Sequence, residues 1–359
     1  MSKLNAAVIF GGRSNEHDVS VQSAKSVIKH INADKYTIHL IGITRTGEWK
    51  LYKGVADDIE EWENNSEAIA LPPDPSYKGY FLINNPEKIH KIDVAFPVMH
   101  GTYAEDGTIQ SVLELAEIPY VGSGVLSSAV VMDKVIAKQV CGYAGIPQCR
   151  FMSTEKSEWF KDAKRIVTEF EAALGYPMFV KPANMGSSVG ISKAKDRDDL
   201  IEAINEAFRF DRKIIVEEFI DGTEIECAVI GNDECMASIP GEIVSAKEFY
   251  DYEAKYDDKF DSAIYIPARI SPEKIEEVRS LALKTYKTLN CRGLARVDFF
   301  ITKKDSRVLL NEANSLPGFT NISMYPKMMI NMGMTYEQLI DKLFMLALEN
   351  YSDKSKIEY

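Results

Sequence analysis

The first third of the chain combines short apolar runs, turns and one amphipathic stretch. Residues 6–10 are uniformly apolar and end at Gly11-Gly12, which predicts a buried strand followed by a tight turn. A helix is predicted next, because apolar side chains recur at helical spacing at Val21, Ala24, Val27, Ile28 and Ile31. The other elements predicted here are strands at residues 36–44 and 93–99 and a helix at residues 108–117. This order predicts an open α/β layer over residues 1–123.

The middle of the chain has the pattern of a smaller α+β unit over residues 124–218. Its apolar run 177–181 predicts a strand that ends at Lys181, and the small-residue loop 186–190 follows closely. The remaining elements predicted here are helices at residues 127–142, 155–174 and 197–210, a second strand directly after the loop, and a strand at residues 213–217.

The last part, residues 219–359, begins with alternating strands and ends in helices. Ser271 followed by Pro272 is a typical helix start, and that helix is predicted to end near Asn290. The final helix is predicted to begin at Thr335, where Thr335 and Gln338 have the spacing of a capping box. The whole pattern predicts a mixed α/β (α+β) protein of two or three domains that share a cleft.

A predicted hairpin in the last part carries the strongest chemical signal. Its strands cover residues 295–301 and 308–314, and period-two alternation places Arg296 beside Asp298 on one face and Glu312 beside Asn314 on one face of the partner strand. Asp298, Glu312 and Asn314 offer only oxygen ligands, which suit Mg²⁺. Arg296 beside them could stabilise negative charge that develops during a reaction. An exposed sheet face with an ordinary ion pair is the alternative for any one of them.

Three lysines are candidate phosphate ligands: Lys134, Lys181 and Lys255. Lys181 stands out because the loop 186–190 could fold over phosphates with its backbone amides. A solvated surface lysine is the alternative in each case. The polar and aromatic run 249–256 has poor strand alternation and is interpreted as a lid, predicted at about residues 246–262, with a surface loop as the alternative.

Composition narrows the class of protein. The 42 basic and 54 acidic residues give a net charge of −12, which argues against non-specific binding of nucleic acid or of anionic membranes. No secretory signal and no membrane-spanning apolar run is expected. The five scattered cysteines favour reduced thiols in the cytoplasm, and their spacing to the histidines does not indicate a zinc site.

Taken together, motifs spread over residues 8–346 resemble the D-alanine–D-alanine ligase family of the ATP-grasp superfamily. The motifs are Gly11-Gly12 with Glu16 and Val19-Ser20, His100-Gly101 with Glu105-Asp106-Gly107-Thr108, Met132-Asp133-Lys134, Gly186-Ser187-Ser188-Val189-Gly190, residues 249–256, Arg296-Val297-Asp298, Glu312-Ala313-Asn314 and Pro317-Gly318-Phe319-Thr320. The resemblance implies three domains, the first of them Rossmann-like, with ATP between the central and C-terminal sheets.

The resemblance also implies a role for each matching residue. Implied ATP ligands are Lys134 and Lys181 on the phosphates, Glu217 and the backbone after it on adenine, Glu224 on the ribose and Lys255 on the γ-phosphate. Implied metal ligands for two Mg²⁺ ions, which Mn²⁺ can replace, are Asp298, Glu312 and Asn314. Implied catalytic and substrate residues are Glu16, Ser187 and Tyr256 as a linked triad, Arg296 with the Gly318 amide as an oxyanion hole, Ser323 with the Met324 amide on the second carboxylate, and His100 nearby.

The implied activity is ATP-dependent joining of two D-alanines through an acyl phosphate, in peptidoglycan precursor synthesis, by a homodimer. D-alanine–D-serine ligation is the nearest alternative, because several vancomycin-resistance ligases share the tyrosine lid and differ by only a few pocket residues. D-serine-using relatives commonly place arginine where this chain has Met324, so the methionine favours D-alanine. The tyrosine lid makes D-lactate ligation a weaker fit. Other ATP-grasp carboxylate–amine ligases and a catalytically silent nucleotide-binding protein are further alternatives. The set of Glu16, Ser187 and Tyr256 argues against the former, and the hairpin's four polar residues argue against the latter.

Overall fold

A computed structural model describes residues 3–186, 189–244 and 263–358 of the 359. The implied site residues Ser187, Lys255 and Tyr256 lie outside the described residues, as does the whole of the predicted lid at about residues 246–262. The described residues form three mixed α/β layers, so the predicted fold class is confirmed.

The first layer is a seven-stranded sheet with strand order β6-β5-β4-β3-β2-β1-β7. Strand β1 runs parallel to β2 and β7, and Gly11 and Gly12 then turn the chain into α1 with positive φ angles of 83° and 103°. The predicted strand, glycine turn and helix are therefore confirmed. The elements of this layer are β1 Leu4–Gly11, α1 His17–His30, β2 Tyr36–Ile43, β3 Trp49–Tyr52, the 3₁₀ helix Ala56–Asn65, β4 Ser66–Ala70, β5 Gly79–Leu82, β6 Asn85–Lys91, β7 Val94–Pro97 and α2 Thr108–Leu115.

The second layer is a four-stranded sheet with strand order β10-β9-β11-β8. Its elements are α3 Val125–Met132, α4 Lys134–Tyr143, β8 Phe151–Glu155, α5 Lys156–Leu174, β9 Met178–Pro182, β10 Ser192–Ala194, α6 Arg197–Ala207 and β11 Lys213–Glu218. The single helix predicted at residues 127–142 is wrong. Asp133 adopts an extended conformation, and its carboxylate accepts hydrogen bonds from the amides of Val135 and Ile136, so it ends one helix and caps the next.

The third layer orders its strands β15-β14-β12-β16-β17, with β13 beside β12. Its elements are β12 Gly222–Gly231, β13 Cys235–Ala237, β14 Gly241–Val244, β15 Ala263–Tyr265, α7 Pro272–Thr288, β16 Gly293–Thr302, β17 Val308–Asn314, α8 Met324–Asn331 and α9 Tyr336–Lys354. Ser271 caps α7 through the Lys274 amide, and Thr335 and Gln338 form a complete capping box, so both predicted helix starts are confirmed. In the described part of the chain, no helix has the length and apolar character needed to span a bilayer.

One hydrophobic core connects the first and third layers. Phe96 of β7 packs edge-on against Phe319 and against Phe344 of α9, with ring centroids 5.4 and 6.2 Å apart. The second layer has a separate core, built from residues 159–216. The shared core brings the C-terminal ends of β1 and β7 close to the loop that follows β17.

Phe344→Ala tests this shared core. Phe344 is completely buried, and its ring centroid lies 4.8 Å from that of Tyr36. We expect the free energy of unfolding to fall by about 3–5 kcal/mol, because the truncation leaves a cavity among aromatic rings. Urea denaturation followed by circular dichroism measures the change. Met345→Ala is the matched control. The side chain of Met345, the next residue on α9, is 56% exposed, so its truncation should lower the free energy of unfolding by less than about 0.5 kcal/mol. Equal losses in both variants would contradict the prediction.

Candidate functional site

A cavity of about 1110 Å³ lies among the three layers and collects the predicted site residues. All the implied site residues within the described ranges line it: Glu16, His100, Lys134, Lys181, Glu217, Glu224, Arg296, Asp298, Glu312, Asn314, Gly318, Ser323 and Met324. They come from positions more than 300 residues apart in sequence, so the fold, and not local sequence, brings them together.

The hairpin of β16 and β17 places its polar residues as predicted. Arg296 pairs with Asn314 and Asp298 with Glu312 across the two strands. Arg296 holds both carboxylate oxygens of Asp298, with its Nε 2.8 Å from Oδ1 and its Nη2 2.7 Å from Oδ2. The Asn314 amide nitrogen donates to Asp298 Oδ2 at 2.9 Å. The expected convergence of four polar groups on one face is confirmed.

Glu226 joins this cluster and was not predicted. It pairs with Asp298 across β12 and β16, and its Oε2 lies 3.1 Å from Arg296 Nε. Burial alone would lower the pKa of Arg296, but Asp298 and Glu226 raise that pKa well above its ordinary value. The alternation of Glu224 and Glu226 along residues 222–231 was the available signal, because period-two spacing places both on one strand face.

This cluster fits a divalent cation in charge and donor chemistry. The carboxylates of Glu226, Asp298 and Glu312 face one guanidinium, and Asn314 adds an amide oxygen, so hard oxygen donors and excess negative charge coincide. Within the described ranges, no group of three or more His, Cys, Asp or Glu side chains could hold a metal ion by itself. An ion here would therefore take further ligands from a bound phosphate-containing molecule or from water.

Lys134 connects the cluster to the residue just before the small-residue loop 186–190, called the glycine-serine loop below. It is the first residue of α4, directly after the Asp133 cap, and its Nζ donates to the Met185 carbonyl at 2.8 Å. The same Nζ lies 3.9 Å from Glu312 Oε2. A cation is thus held between the loop and the hairpin, where an anionic ligand of the cavity would meet it.

Two lysines share the buried carboxylate of Glu217. Lys181 Nζ lies 2.6 Å from Glu217 Oε2, and Lys138 Nζ lies 2.9 Å from Oε1. Burial alone would raise the pKa of Glu217, but the two ammonium groups hold it well below its usual range. Lys138 was not predicted; its position one helical turn after Lys134 on α4 was the available signal. Glu224, on β12 of the third layer, lines the same cavity.

Glu16 lies between two glycines that leave room for its carboxylate. A Cβ atom added at Gly101 or at Gly186 would lie 2.6 Å from Glu16 Oε2, closer than any side chain permits. Glu105, also unpredicted as a site residue, accepts a hydrogen bond from the Gly101 amide at 3.3 Å. Burial, together with the charge of Glu16, raises the pKa of Glu105 to about 8. The first layer thus brings two acidic side chains to the glycine-serine loop.

His100 positions the loop that carries Gly318. Its Nδ1 lies 3.1 Å from the Leu316 carbonyl, which can only accept, so Nδ1 donates. Burial lowers the pKa of His100, and the neutral ring then accepts at Nε2 from the Ser23 hydroxyl at 3.0 Å. The Phe319 amide in turn donates to Ser23 Oγ at 3.3 Å. Both ring nitrogens of His100 are therefore engaged by protein groups.

Ser323 and Met324 lie where α8 begins. Ser323 Oγ accepts a hydrogen bond from the Thr320 amide at 3.0 Å, and a Cβ added at Gly318 would lie 2.9 Å from that oxygen. Met324 is 5% exposed, and its Cε fills the space where a side chain at Gly241 would stand. The loop, the start of α8 and β14 thus form one wall of the cavity.

Comparison with known proteins gives full-length matches. The family model described as "D-ala D-ala ligase N-terminus" matches residues 5–123, and "D-ala D-ala ligase C-terminus" matches residues 140–345. A protein of Caldicellulosiruptor bescii named D-alanine–D-alanine ligase is 50% identical, with 100% of this chain and 99% of the relative aligned. One of the same name from Acetivibrio thermocellus is 48% identical, with 99% of this chain and 98% of the relative aligned.

Solved structures agree over similar lengths. The VanG D-Ala:D-Ser ligase of Enterococcus faecalis is 41% identical with a TM-score of 0.87, over 96% of this chain and 100% of that one. The D-alanine–D-alanine ligase of Coxiella burnetii is 34% identical with a TM-score of 0.85, over 99% and 98% of the two chains.

Proposed function

This chain belongs to the D-alanine–D-alanine ligase family, and on that basis we propose that it joins two D-alanines into D-alanyl-D-alanine while converting ATP to ADP and phosphate. The product would serve peptidoglycan precursor synthesis. The observation that carries the proposal is the convergence of Arg296, Asp298 and Glu312 with Lys134 and Glu16 in one cavity. These are the charges that a reaction between two amino acids and a triphosphate requires.

The reaction has two steps. A carboxylate oxygen of the first D-alanine attacks the γ-phosphorus of ATP, ADP leaves, and an acyl phosphate forms. The amine of the second D-alanine then attacks the acyl carbon, loses a proton, and phosphate leaves. A carboxylate and a triphosphate repel each other, so catalysis rests on neutralising charge and on positioning.

The nucleotide would lie along the second and third layers. Lys134 and Lys181 hold the phosphates, and Lys255 reaches the γ-phosphate. Glu217 with the backbone after it holds adenine, and Glu224 holds the ribose. Support comes from the lining of the cavity, where the two described lysines and the two glutamates lie in the same space.

Magnesium would bind at the hairpin. Asp298, Glu312 and Asn314 would hold two Mg²⁺ ions, which Mn²⁺ could replace. The ions would shield the charge of the phosphates. The bidentate grip of Arg296 on Asp298 orients that carboxylate, and the neighbouring Lys134 adds positive charge beside Glu312.

The amino-acid subsites would lie around the loop after β17. Glu16 binds the ammonium group of the first D-alanine and forms a triad with Ser187 and Tyr256. Arg296 and the Gly318 amide stabilise the oxyanion. His100 holds the Gly318 loop in place and would lie near the substrate. Ser323 and the Met324 amide bind the carboxylate of the second D-alanine.

The remaining proposals concern organisation. The three layers lie within the proposed domains 1–123, 124–218 and 219–359, with the lid at about residues 246–262. The five free cysteines and the use of ATP support a cytoplasmic location. A homodimer rests on the family resemblance, and light scattering of the purified protein tests it.

Phosphate release from ATP and Mg²⁺ tests the proposed function. The purified protein is supplied with D-alanine alone, or with D-alanine and D-serine, and the products are identified by mass. Release with D-alanine alone and D-alanyl-D-alanine as the main product is the expected result. Release that requires D-serine and yields a mixed dipeptide would contradict the proposal, and no release in either mixture would do the same.

Met324→Arg should raise the use of D-serine relative to D-alanine. Met324 is buried at the start of α8 and presents only an apolar surface, whereas an arginine there could hydrogen-bond the hydroxyl of D-serine. We expect a shift of about tenfold or more in the ratio of the two kcat/KM values. Competition between the amino acids, with dipeptides quantified by mass spectrometry, measures it. Met334→Arg, on a half-buried position outside the cavity lining, is the control, and an equal ratio in both variants would show that Met324 does not face the second subsite.

A further inference from the structure

The carboxylate of Glu217 is divided between two cations that differ in position. Lys181, on β9, approaches Oε2 and keeps 14% of its side chain exposed. Lys138, on α4, approaches Oε1 with only 4% of its side chain exposed. Its other close neighbours are the Cys149 thiol, 3.4 Å from Nζ, and the ring of Phe151, with its centroid 6.0 Å away. Lys138 is therefore the deeper of the two lysines.

Both lysines stay protonated in this setting. Burial alone would lower the pKa of Lys138 and of Lys181, but the charge of Glu217 raises both above the ordinary value. Two cations and one anion leave the group with a net positive charge. If Glu217 had only one lysine as its partner, the pair would be neutral. The full negative charge of the carboxylate would then offset the positive charge of that lysine.

We propose that Lys138 is a positioning residue for the nucleotide: it takes up part of the charge of Glu217, so that Lys181 keeps a positive charge available to the phosphates. This inference rests on the proposed function, which places Lys181 on those phosphates. Lys138 acts through Glu217 and Lys181 and not by touching phosphate itself.

The proposal predicts the behaviour of Lys138→Met. Without Lys138, the Glu217 carboxylate pairs with Lys181 alone and neutralises the positive charge of Lys181. We expect KM for ATP to rise about tenfold or more, because a charged hydrogen bond to phosphate is weakened, while KM for D-alanine stays unchanged. ADP binding, measured by calorimetry with Mg²⁺, should weaken by a similar factor. Competitive inhibition by adenosine, which has no phosphate, should change much less, because Lys181 still holds the Glu217 carboxylate beside the proposed adenine subsite.

A double variant separates this role from direct contact with phosphate. In Glu217→Gln, no carboxylate competes for Lys181, so adding Lys138→Met should change ADP affinity by less than about threefold. Lys138→Met alone could fail to fold. The comparison of Glu217→Gln with the double variant still tests the proposal then, because neither of these variants buries the Glu217 carboxylate. Lys156→Met is the control: this lysine donates to the Phe208 carbonyl at 2.9 Å and does not line the cavity.

Three results would overturn the inference. The first is a lower melting temperature in Lys138→Met with KM for ATP unchanged, which indicates a purely structural residue. The second is an equal loss of ADP and adenosine binding, and the third is a full further loss of ADP binding in the double variant. Failure of the proposed function is recognised separately, as absence of D-alanine-dependent phosphate release by the unchanged protein, and ADP calorimetry tests Lys138 even then.

Discussion

Glu312→Gln should reduce D-alanine-dependent phosphate release by at least about 10²-fold and leave the fold intact. Loss of a group that merely supports a metal ligand costs about 10–100-fold, and the proposed role of Glu312 is that of a ligand itself. Glutamine keeps the shape of the side chain but has one acceptor oxygen and no charge. Lys134, the lysine beside Glu312, also donates to the Met185 carbonyl, so the substitution leaves its ammonium group with a hydrogen-bond partner.

The measurement is a steady-state phosphate assay over a series of Mg²⁺ concentrations. Weakened metal binding should appear as a higher Mg²⁺ concentration at half-maximal rate. Glu60→Gln is the control, since Glu60 is an exposed glutamate that pairs with Lys25 at 2.6 Å on the first layer. An unchanged rate and an unchanged Mg²⁺ requirement in Glu312→Gln would remove Glu312 from the metal site.

Arg296→Lys should lower kcat by about 10²–10³-fold, with a small effect on KM for ATP. The planar guanidinium holds both oxygens of Asp298 and also reaches Glu226, whereas an ammonium is a point charge that cannot span both carboxylates. Removal of one donor that stabilises a developing oxyanion has an effect of this size. Lysine retains the positive charge, so the buried carboxylates keep a counter-ion.

Single-turnover measurement of acyl-phosphate formation and of peptide formation locates the loss. Arg197→Lys is the matched control, because Arg197 holds Glu171 through two nitrogens at the surface, away from the cavity. Equal kcat values for the control and for Arg296→Lys would show that Arg296 has no part in stabilising the oxyanion. A melting temperature close to that of the unchanged protein must accompany either result.

The hairpin shows what sequence periodicity can predict. Alternation along residues 295–301 and 308–314 placed Arg296, Asp298, Glu312 and Asn314 on matching faces, and the strand register agrees. The caps at Ser271 and Thr335 were equally visible, because side-chain capping depends on neighbours three residues away. Local physics determines these features, so a local pattern is enough to find them.

Other features depend on contacts that no local pattern contains. Glu217 and Lys138 meet only because β11 and α4 pack on the same side of the cavity, and Ser23 reaches His100 across 77 residues of sequence. The break at Asp133 was missed because the apolar pattern continues through it; the aspartate competes for the amides of the next turn. Such residues look like ordinary surface lysines or helix interiors until the tertiary structure is known.

The shared core has a consequence for how the protein is made. Tyr36 and Phe96 of the first layer pack against Phe344 of α9. This helix spans Tyr336–Lys354, so it is synthesised long after both aromatic residues. A ribosome releases the first layer long before it releases this helix. The nascent chain therefore carries an uncovered aromatic surface until α9 has left the ribosome, and the core between the first and third layers can form only then.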